Sequence, residues 1–329
     1  MTHSADTSSD ARFLAAERRR GWIEAGCFVI AITVLNIAYW LGHQLGADPV
    51  AFIVYAMLTA ASALLLITGL GSDWRTVIRH PLSWIVGIGI IGMEASYYML
   101  LRFVTPAEGS ILNRINLPAS ILFGWLLFGR RTSRISLIGI AIVVASIGFF
   151  MATIPQATVT MAIALGVLCA LISMTRNFAA EYHPWNRRAR DVMEKMRITG
   201  LVLIVTSFVG TMIVAGLMAL VALNILPQAP PIPRPEAFLH GPTIGLGLFM
   251  GAFVLTAMQY FGFSSVVRIG TERFIAAGTL VPATTLIVQN AAAFAGVLPA
   301  ATVDGTFLAV LLAMIVGVYI YIAGGRLKS

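Results

Sequence analysis

The chain has 329 residues, of which 58% are hydrophobic and only 11% are charged, and its mean hydropathy is +0.88. This composition excludes an ordinary soluble domain. The formal net charge is +8, but the basic residues are spread over short loops, so the sequence does not predict nucleic-acid binding.

Residues 1–20 are polar, and we predict that they form a disordered cytoplasmic tail. Apolar runs then recur along the rest of the chain, each long enough to cross roughly 30 Å of hydrocarbon as a helix. Because backbone groups in lipid must be satisfied internally, the fold is predicted to be an all-α membrane bundle of about ten helices. The predicted spans are 22–42, 50–70, 82–104, 107–129, 135–154, 160–181, 198–224, 243–264, 274–297 and 306–324.

The positions of the basic residues predict the orientation of these spans. If the N-terminus is cytoplasmic, most of the 22 Lys and Arg residues fall in the tail or in inner loops. Arg234 falls in an outer loop, while Arg102, Arg114 and Arg176 fall within spans. We therefore expect both termini in the cytoplasm and a multi-pass protein of a bacterial-type inner (plasma) membrane. Arg176, about one turn from an inner end, is expected to extend its guanidinium toward the interface.

Two segments of the chain resemble each other. Residues 108–120 and 272–284 share Glu, Ile, Pro and Ala at equivalent positions, with Pro118 matching Pro282. In the predicted topology the first copy enters the membrane from outside and the second from inside. This pattern predicts an inverted repeat of five-helix halves, residues 21–158 and 159–329, as found in secondary transporters. Glu108 and Glu272 each begin a span, and both are interpreted as helix caps.

The first half resembles a known family. Residues 97–118, YYMLLRFVTPAEGSILNRINLP, and their continuation 126–139, LLFGRRTSRISLIG, are similar to the EamA-type repeat of the drug/metabolite transporter superfamily. Residues 260–324 are similar with weaker matching. The resemblance implies a ten-helix transporter that works by alternating access, with substrate held near the midplane. One departure is that Arg130 and Arg131 stand where the family usually has an acidic residue.

Charged and amide side chains within spans are candidates for the substrate site, because a charge at mid-bilayer is costly. Glu94 and Tyr98 share one face of the third span. Asn113 and Asn116 lie on one face of the fourth span, and Arg114 borders that face. Our hypothesis is that Glu94 and Arg114 contact substrate, since Arg suits a carboxylate and Glu could hold an ammonium group or a proton. The alternative is a structural ion pair between the two.

Three further residues complete the predicted substrate-binding set. Asn36 lies in the outer part of the first span. Gln259 and Tyr260 lie in the eighth span, at the position that the repeat relates to the neighbourhood of Glu94.

The predicted function is a secondary transporter that moves a small organic metabolite, such as an amino acid or derivative, and the family resemblance implies export. The alternatives are a transporter or flippase of a phosphorylated or lipid-linked solute and, ranked lower, a non-transporting receptor or scaffold. No H-E-x-x-H, Gly-x-Ser-x-Gly or Cys/His cluster predicts an enzyme, a metal or a cofactor, and no P-loop predicts ATP use. The expected partners are a small-molecule substrate, with proton coupling left open, and membrane lipids.

Overall fold

A computed structural model describes residues 4–153, 156–189, 191–229, 231–297 and 305–326, and within these ranges the secondary structure is entirely helical. Among the described residues, ten helices are long and apolar enough to cross a membrane, as the hydrophobic runs predict. We label these helices α1 to α10. Their bounds are Ser4–Gln44, Pro49–Thr68, Pro81–Leu100, Pro106–Phe128, Arg134–Thr153, Gln156–Tyr182, Val192–Ala222, Gly241–Ile269, Thr271–Phe294 and Gly305–Arg326. Shorter helices at Trp74–Arg79, Pro184–Arg188 and Pro235–Phe238 lie in the connections.

The first helix begins earlier than the sequence predicted. Ser4–Arg20, which we predicted to lie in a disordered tail, continue α1 as a helix in the structure; residues 1–3 and 327–329 lie outside the described residues. Two causes explain the longer helix. The segment contains four Ala and four Arg, which favour helix formation, and Glu17 Oε2 accepts a hydrogen bond from Arg268 Nε of α8 at 2.9 Å.

Several helices start where local chemistry satisfies their first N–H groups. The Asp48 carboxylate accepts hydrogen bonds from the backbone nitrogens of Val50 and Ala51, and Pro49 follows as the first residue of α2. At α4, Thr105 and Glu108 form a reciprocal capping box, so the prediction that Glu108 is a cap is confirmed.

Helices α4 and α9 are each interrupted after seven residues. A seven-residue helix, a three-residue 3₁₀ turn and a longer helix follow one another in both, with the turns at Asn113–Ile115 and Gly278–Leu280. Pro118 and Pro282 follow these turns by a few residues. Because proline has no N–H to donate to the carbonyl four residues earlier, the regular α-helical pattern is broken there.

The helices pair across the bundle. Contacts join α1 to α8, α2 to α7, α3 to α6, α4 to α9 and α5 to α10. The α5–α10 crossing is close because it uses two glycines: a β-carbon built at Gly317 would lie 2.7 Å from the Gly139 carbonyl oxygen.

The outer surface of the bundle is apolar. Large hydrophobic side chains such as Leu66, Phe294 and Tyr319 are 86%, 97% and 74% exposed. In the most apolar stretch of α7 only 28% of the residues are buried, whereas in that of α9 61% are buried. An apolar exterior of this extent suits contact with lipid. With its ten membrane-length helices, the chain has the features of a multi-pass membrane protein.

Candidate functional site

The centre of the bundle contains the buried carboxylate of Glu94. This side chain on α3 is 1% exposed, and its Oε2 accepts a hydrogen bond of 2.8 Å from the Tyr39 hydroxyl of α1. Its other oxygen, Oε1, forms no well-aligned hydrogen bond, although the Gln259 side chain lies close enough to interact with it. Gln259 of α8 lies beside the carboxylate, and Arg176 of α6 lies within electrostatic range of it. The structure thus places two predicted residues, Glu94 and Gln259, together.

A second group of polar contacts is centred on Ser110 of α4. Its hydroxyl donates to the Pro106 carbonyl oxygen at 2.7 Å, one turn earlier in the helix. Ser110 Oγ also accepts a hydrogen bond from Asn36 Nδ2 at 3.1 Å, and the Tyr97 hydroxyl lies 3.1 Å from Ser110 Oγ. Asn36 further reaches Thr285 of α9 at 3.5 Å. The predicted residue Asn36 therefore links α1 to both interrupted helices.

Aromatic rings hold the Glu94 contact in position. The Tyr39 and Tyr98 rings stack with centroids 4.6 Å apart and planes inclined by 10°, and Phe52 meets both rings edge-on. His43 Nε2 lies 2.8 Å from the Tyr98 carbonyl oxygen. Gly42 leaves room for the Tyr98 hydroxyl, which a β-carbon at that position would strike. Tyr98, also predicted, therefore supports Tyr39 by stacking.

Arg114 is buried, at 4% exposed, but it does not pair with Glu94. No ion pair joins the two in the part of the chain that the structure describes, so the alternative of a mutual structural pair is not realised. Arg114 Nε instead donates to the Ser110 carbonyl oxygen at 3.2 Å. Its Nη1 packs against Gly278, where a β-carbon would come within 2.5 Å of it. The guanidinium therefore lies where the interrupted helices α4 and α9 meet.

Arg176 was expected to reach the membrane interface, and that expectation is wrong. Its side chain is 5% exposed, and its Nε and Nη2 donate to Asn177 Oδ1 at 3.2 and 3.0 Å. Gly89 on α3 allows this approach, since a β-carbon there would lie 2.8 Å from the Arg176 β-carbon. The close α3–α6 contact therefore turns the guanidinium toward the centre.

The remaining predicted residues divide into two groups. Asn113 and Asn116 are both 4% exposed, and the amide oxygen of each has no hydrogen-bond partner. Tyr260 lies away from the contacts of Glu94. Its hydroxyl faces Glu24 Oε1 at 3.5 Å, in a group of ion pairs around Arg268. Neighbouring residues of an α-helix point about 100° apart, so Gln259 and Tyr260 face different sides of α8.

Many buried polar atoms on the helices of the bundle lack a hydrogen-bond partner among the described residues. Buried polar groups are normally hydrogen-bonded, because an unsatisfied one costs free energy. The unpartnered atoms here come from several helices, and most of them belong to predicted residues or their neighbours. They are Asn36 Oδ1, Glu94 Oε1, Tyr98 Oη, Asn113 Oδ1, Asn116 Oδ1, Gln259 Nε2, Thr279 Oγ1, and Gln289 Nε2 and Oε1. We call these residues, together with Tyr39, Ser110 and Arg176, the cluster. Its unpartnered atoms are donors and acceptors that a polar ligand could use.

Separate ion pairs close the bundle at the end where α5 and α9 begin. Arg130 bonds Glu181 of α6 at 2.6 Å and Glu272 of α9 at 2.5 Å, and Glu181 also accepts from the Thr271 nitrogen at 2.9 Å. Glu272 was interpreted as a cap, but it makes no capping hydrogen bond and pairs with Arg130 instead. Gly124 leaves the space for this carboxylate.

Sequence reasoning missed or undervalued three members of the cluster: Tyr39, Ser110 and Arg176. Tyr39 lies three residues after Asn36 and therefore on the same helix face, a spacing that could have identified it. Within the described ranges, no group of three His, Cys, Asp or Glu side chains is arranged to hold a metal.

Comparisons with known proteins add evidence on the fold only. No family model matches the chain, and no curated protein matches its sequence. A solved crystal structure of a protein is similar, with a TM-score of 0.58 and 17% identity over 93% of this chain and 99% of the other. The ten-helix arrangement is thus similar to that of an experimentally determined chain over nearly its full length.

Proposed function

We propose that this protein is a secondary transporter that moves a small polar organic metabolite by alternating access, with the drug/metabolite transporter architecture. The observation that carries the proposal is the buried polar cluster around Glu94, whose unpartnered atoms give a ligand several hydrogen-bonding groups. A receptor or scaffold has no use for a buried carboxylate at the centre of an apolar bundle.

The pairing of the helices supports two inverted halves. If the two halves are equivalent, α1 corresponds to α6, α2 to α7, and so on to α5 and α10. Under this exchange the α2–α7, α4–α9 and α5–α10 contacts stay the same, and the α3–α6 contact becomes the α8–α1 contact, which is also present. The matching 3₁₀ turns of α4 and α9 follow the same rule. In such an arrangement the halves can exchange conformations, so inward-facing and outward-facing states have similar energies.

The composition of the cluster supports a site between these halves. Its side chains come from α1, α3, α4, α6, α8 and α9, which are three pairs under the same exchange. Phe52 of α2 adds an aromatic ring beside Tyr39 and Tyr98. Broken helices near a central site are a recurrent device in transporters, because freed backbone groups and polar side chains can then face a substrate.

The charges favour a substrate with an acidic group. Arg114 and Arg176 are both buried, and neither has a carboxylate within ion-pair distance among the described residues. A planar guanidinium suits a carboxylate or a phosphate, and Glu94 suits an ammonium group. An amino acid or a derivative would use both, with the amine near Glu94 and the acid near one arginine.

The test is ligand-dependent thermal stabilisation of the purified protein in detergent, followed by uptake of any hit into proteoliposomes. The panel contains amino acids, amines, carboxylates, sugar phosphates and nucleotides. A ligand that binds only the folded protein raises the melting midpoint with concentration. We expect a zwitterion to raise the midpoint of the wild type and to be transported.

The matched variants are Glu94→Gln and Glu236→Gln. Glu236 is exposed in the α7–α8 connection, so its substitution removes the same charge away from the cluster. The expected result is loss of stabilisation and uptake in Glu94→Gln, with an unchanged melting midpoint without ligand, and no effect in Glu236→Gln. Equal uptake in both variants would contradict the site, and hits restricted to phosphates would support the phosphorylated-solute alternative.

A further inference from the structure

A second candidate site lies at one end of the bundle, apart from the central cluster. It is a cleft of about 930 Å³ between the start of α1, the α4–α5 connection, the α8–α9 turn and the end of α10. We call it the basic cleft. Its walls include none of the residues grouped around Glu94.

The basic cleft has an excess of positive charge that the one carboxylate in its lining does not balance. The five arginines among its lining residues face a single carboxylate, Glu272, which is bonded to Arg130 at 2.5 Å. The other four, Arg18, Arg19, Arg131 and Arg273, form no ion pair with any described residue. Like charges gathered around one cleft repel, so the arrangement is stabilised when an anion enters.

The rest of the lining shows what kind of anion fits. Trp22 and Ile322 form apolar walls beside the arginines, and Ile121 is buried at the base. The cleft also lies at the ends of membrane-length helices, beside the first residue of α9 and the last turns of α10. A ligand with a charged phosphate and an attached apolar part would contact both surfaces.

We propose that the basic cleft binds the phosphate group of an anionic ligand. Arginine side chains form strong paired hydrogen bonds with phosphate. Basic pockets at the cytoplasmic ends of membrane helices hold acidic lipid headgroups, and the same chemistry accepts a soluble phosphate. The apolar walls favour a phospholipid as the ligand. A phospholipid bound in the basic cleft would contact α1, α9 and α10 together at this end of the bundle.

The experiment uses the full chain, purified in a neutral detergent, and follows Trp fluorescence and the melting midpoint. Three probes are titrated: dioctanoyl phosphatidylglycerol, dioctanoyl phosphatidylcholine and inorganic phosphate. The cleft variant is Arg18→Gln, Arg19→Gln and Arg131→Gln combined. Its control is Arg79→Gln, Arg187→Gln and Arg188→Gln combined, at three exposed arginines outside the cleft. Both triple variants lose the same net charge, and all six positions are exposed, so folding is preserved.

We expect phosphatidylglycerol to bind the wild type and the control variant about equally and the cleft variant at least about tenfold more weakly, with phosphatidylcholine weak throughout. This result, with weak inorganic phosphate, identifies a lipid headgroup. Saturable inorganic phosphate binding that only the cleft variant loses identifies a soluble phosphate instead. Equal weakening in the two triple variants, or no preference for phosphatidylglycerol over phosphatidylcholine, overturns the proposal.

Discussion

Protonation of His183 should destabilise the fold below neutral pH. This residue lies between α6 and the short helix Pro184–Arg188 and is fully buried. Its Nε2 lies 2.8 Å from the Ser83 Oγ, whose own hydrogen is donated to the Val77 carbonyl oxygen at 2.6 Å. Nε2 must therefore be the donor in this pair. Its Nδ1 accepts from the Asn186 nitrogen at 3.3 Å, so the ring is held in one neutral tautomer.

The size of the effect follows from the change in pKa. Burial, together with the nearby His80 ring, lowers the pKa of His183 from 6.5 to about 4. The unfolded chain therefore binds the proton more readily, so stability is complete above pH 6.5 and is lost as the pH falls from 6.5 toward 4. Between pH 7.5 and pH 5 this one group should cost about 2 kcal/mol of unfolding free energy.

The assay is chemical unfolding of the purified protein in detergent at several pH values between these limits. His183→Gln keeps a distal nitrogen donor toward Ser83 but cannot gain a proton, so it should lose about 2 kcal/mol less than the wild type over this range. His240→Gln, in the α7–α8 connection at the other end of the bundle, is the matched control substitution. A His183→Gln variant that is as acid-sensitive as the wild type would refute the reasoning.

Two further predictions concern packing at named contacts. Tyr39→Phe removes the 2.8 Å hydrogen bond from its hydroxyl to the Glu94 carboxylate and should lower stability in detergent by about 1–3 kcal/mol. Tyr98→Phe removes a hydroxyl that has no hydrogen-bond partner among the described residues and should be nearly neutral. Similar losses in both variants would show that the hydrogen bond is unimportant. Gly139→Ala places a carbon against the Gly317 carbonyl and should lower the free energy of unfolding by about 1–3 kcal/mol. Gly148→Ala, on the same helix, enters open space and serves as the control. Equal midpoints in thermal melts of the two variants would contradict the close α5–α10 contact.

Some features of the site followed from sequence because they depend on local spacing. Glu94 and Tyr98 are four residues apart in a helix, so they share a face whatever surrounds them. The cost of a charge in lipid made Glu94 and Arg114 conspicuous, and both are buried. The partners of these side chains depended on contacts between helices far apart in the chain. Tyr39 reaches Glu94 only because α1 and α3 meet near their aromatic residues, and Arg176 turns inward because Gly89 leaves room beside it.

The sequence by itself determined the number and approximate limits of the ten membrane helices, since length and hydrophobicity are local properties that lipid imposes on each segment. It also located Pro118 and Pro282, whose missing N–H groups accompany the broken helices α4 and α9. Only the tertiary structure decided that Arg114 contacts Gly278 and not Glu94, that Tyr260 faces Glu24, and that Arg130 joins α6 to α9. The physical reason is that hydrogen bonds and ion pairs act over a few ångströms, so their partners are set by how the helices pack and rotate against one another.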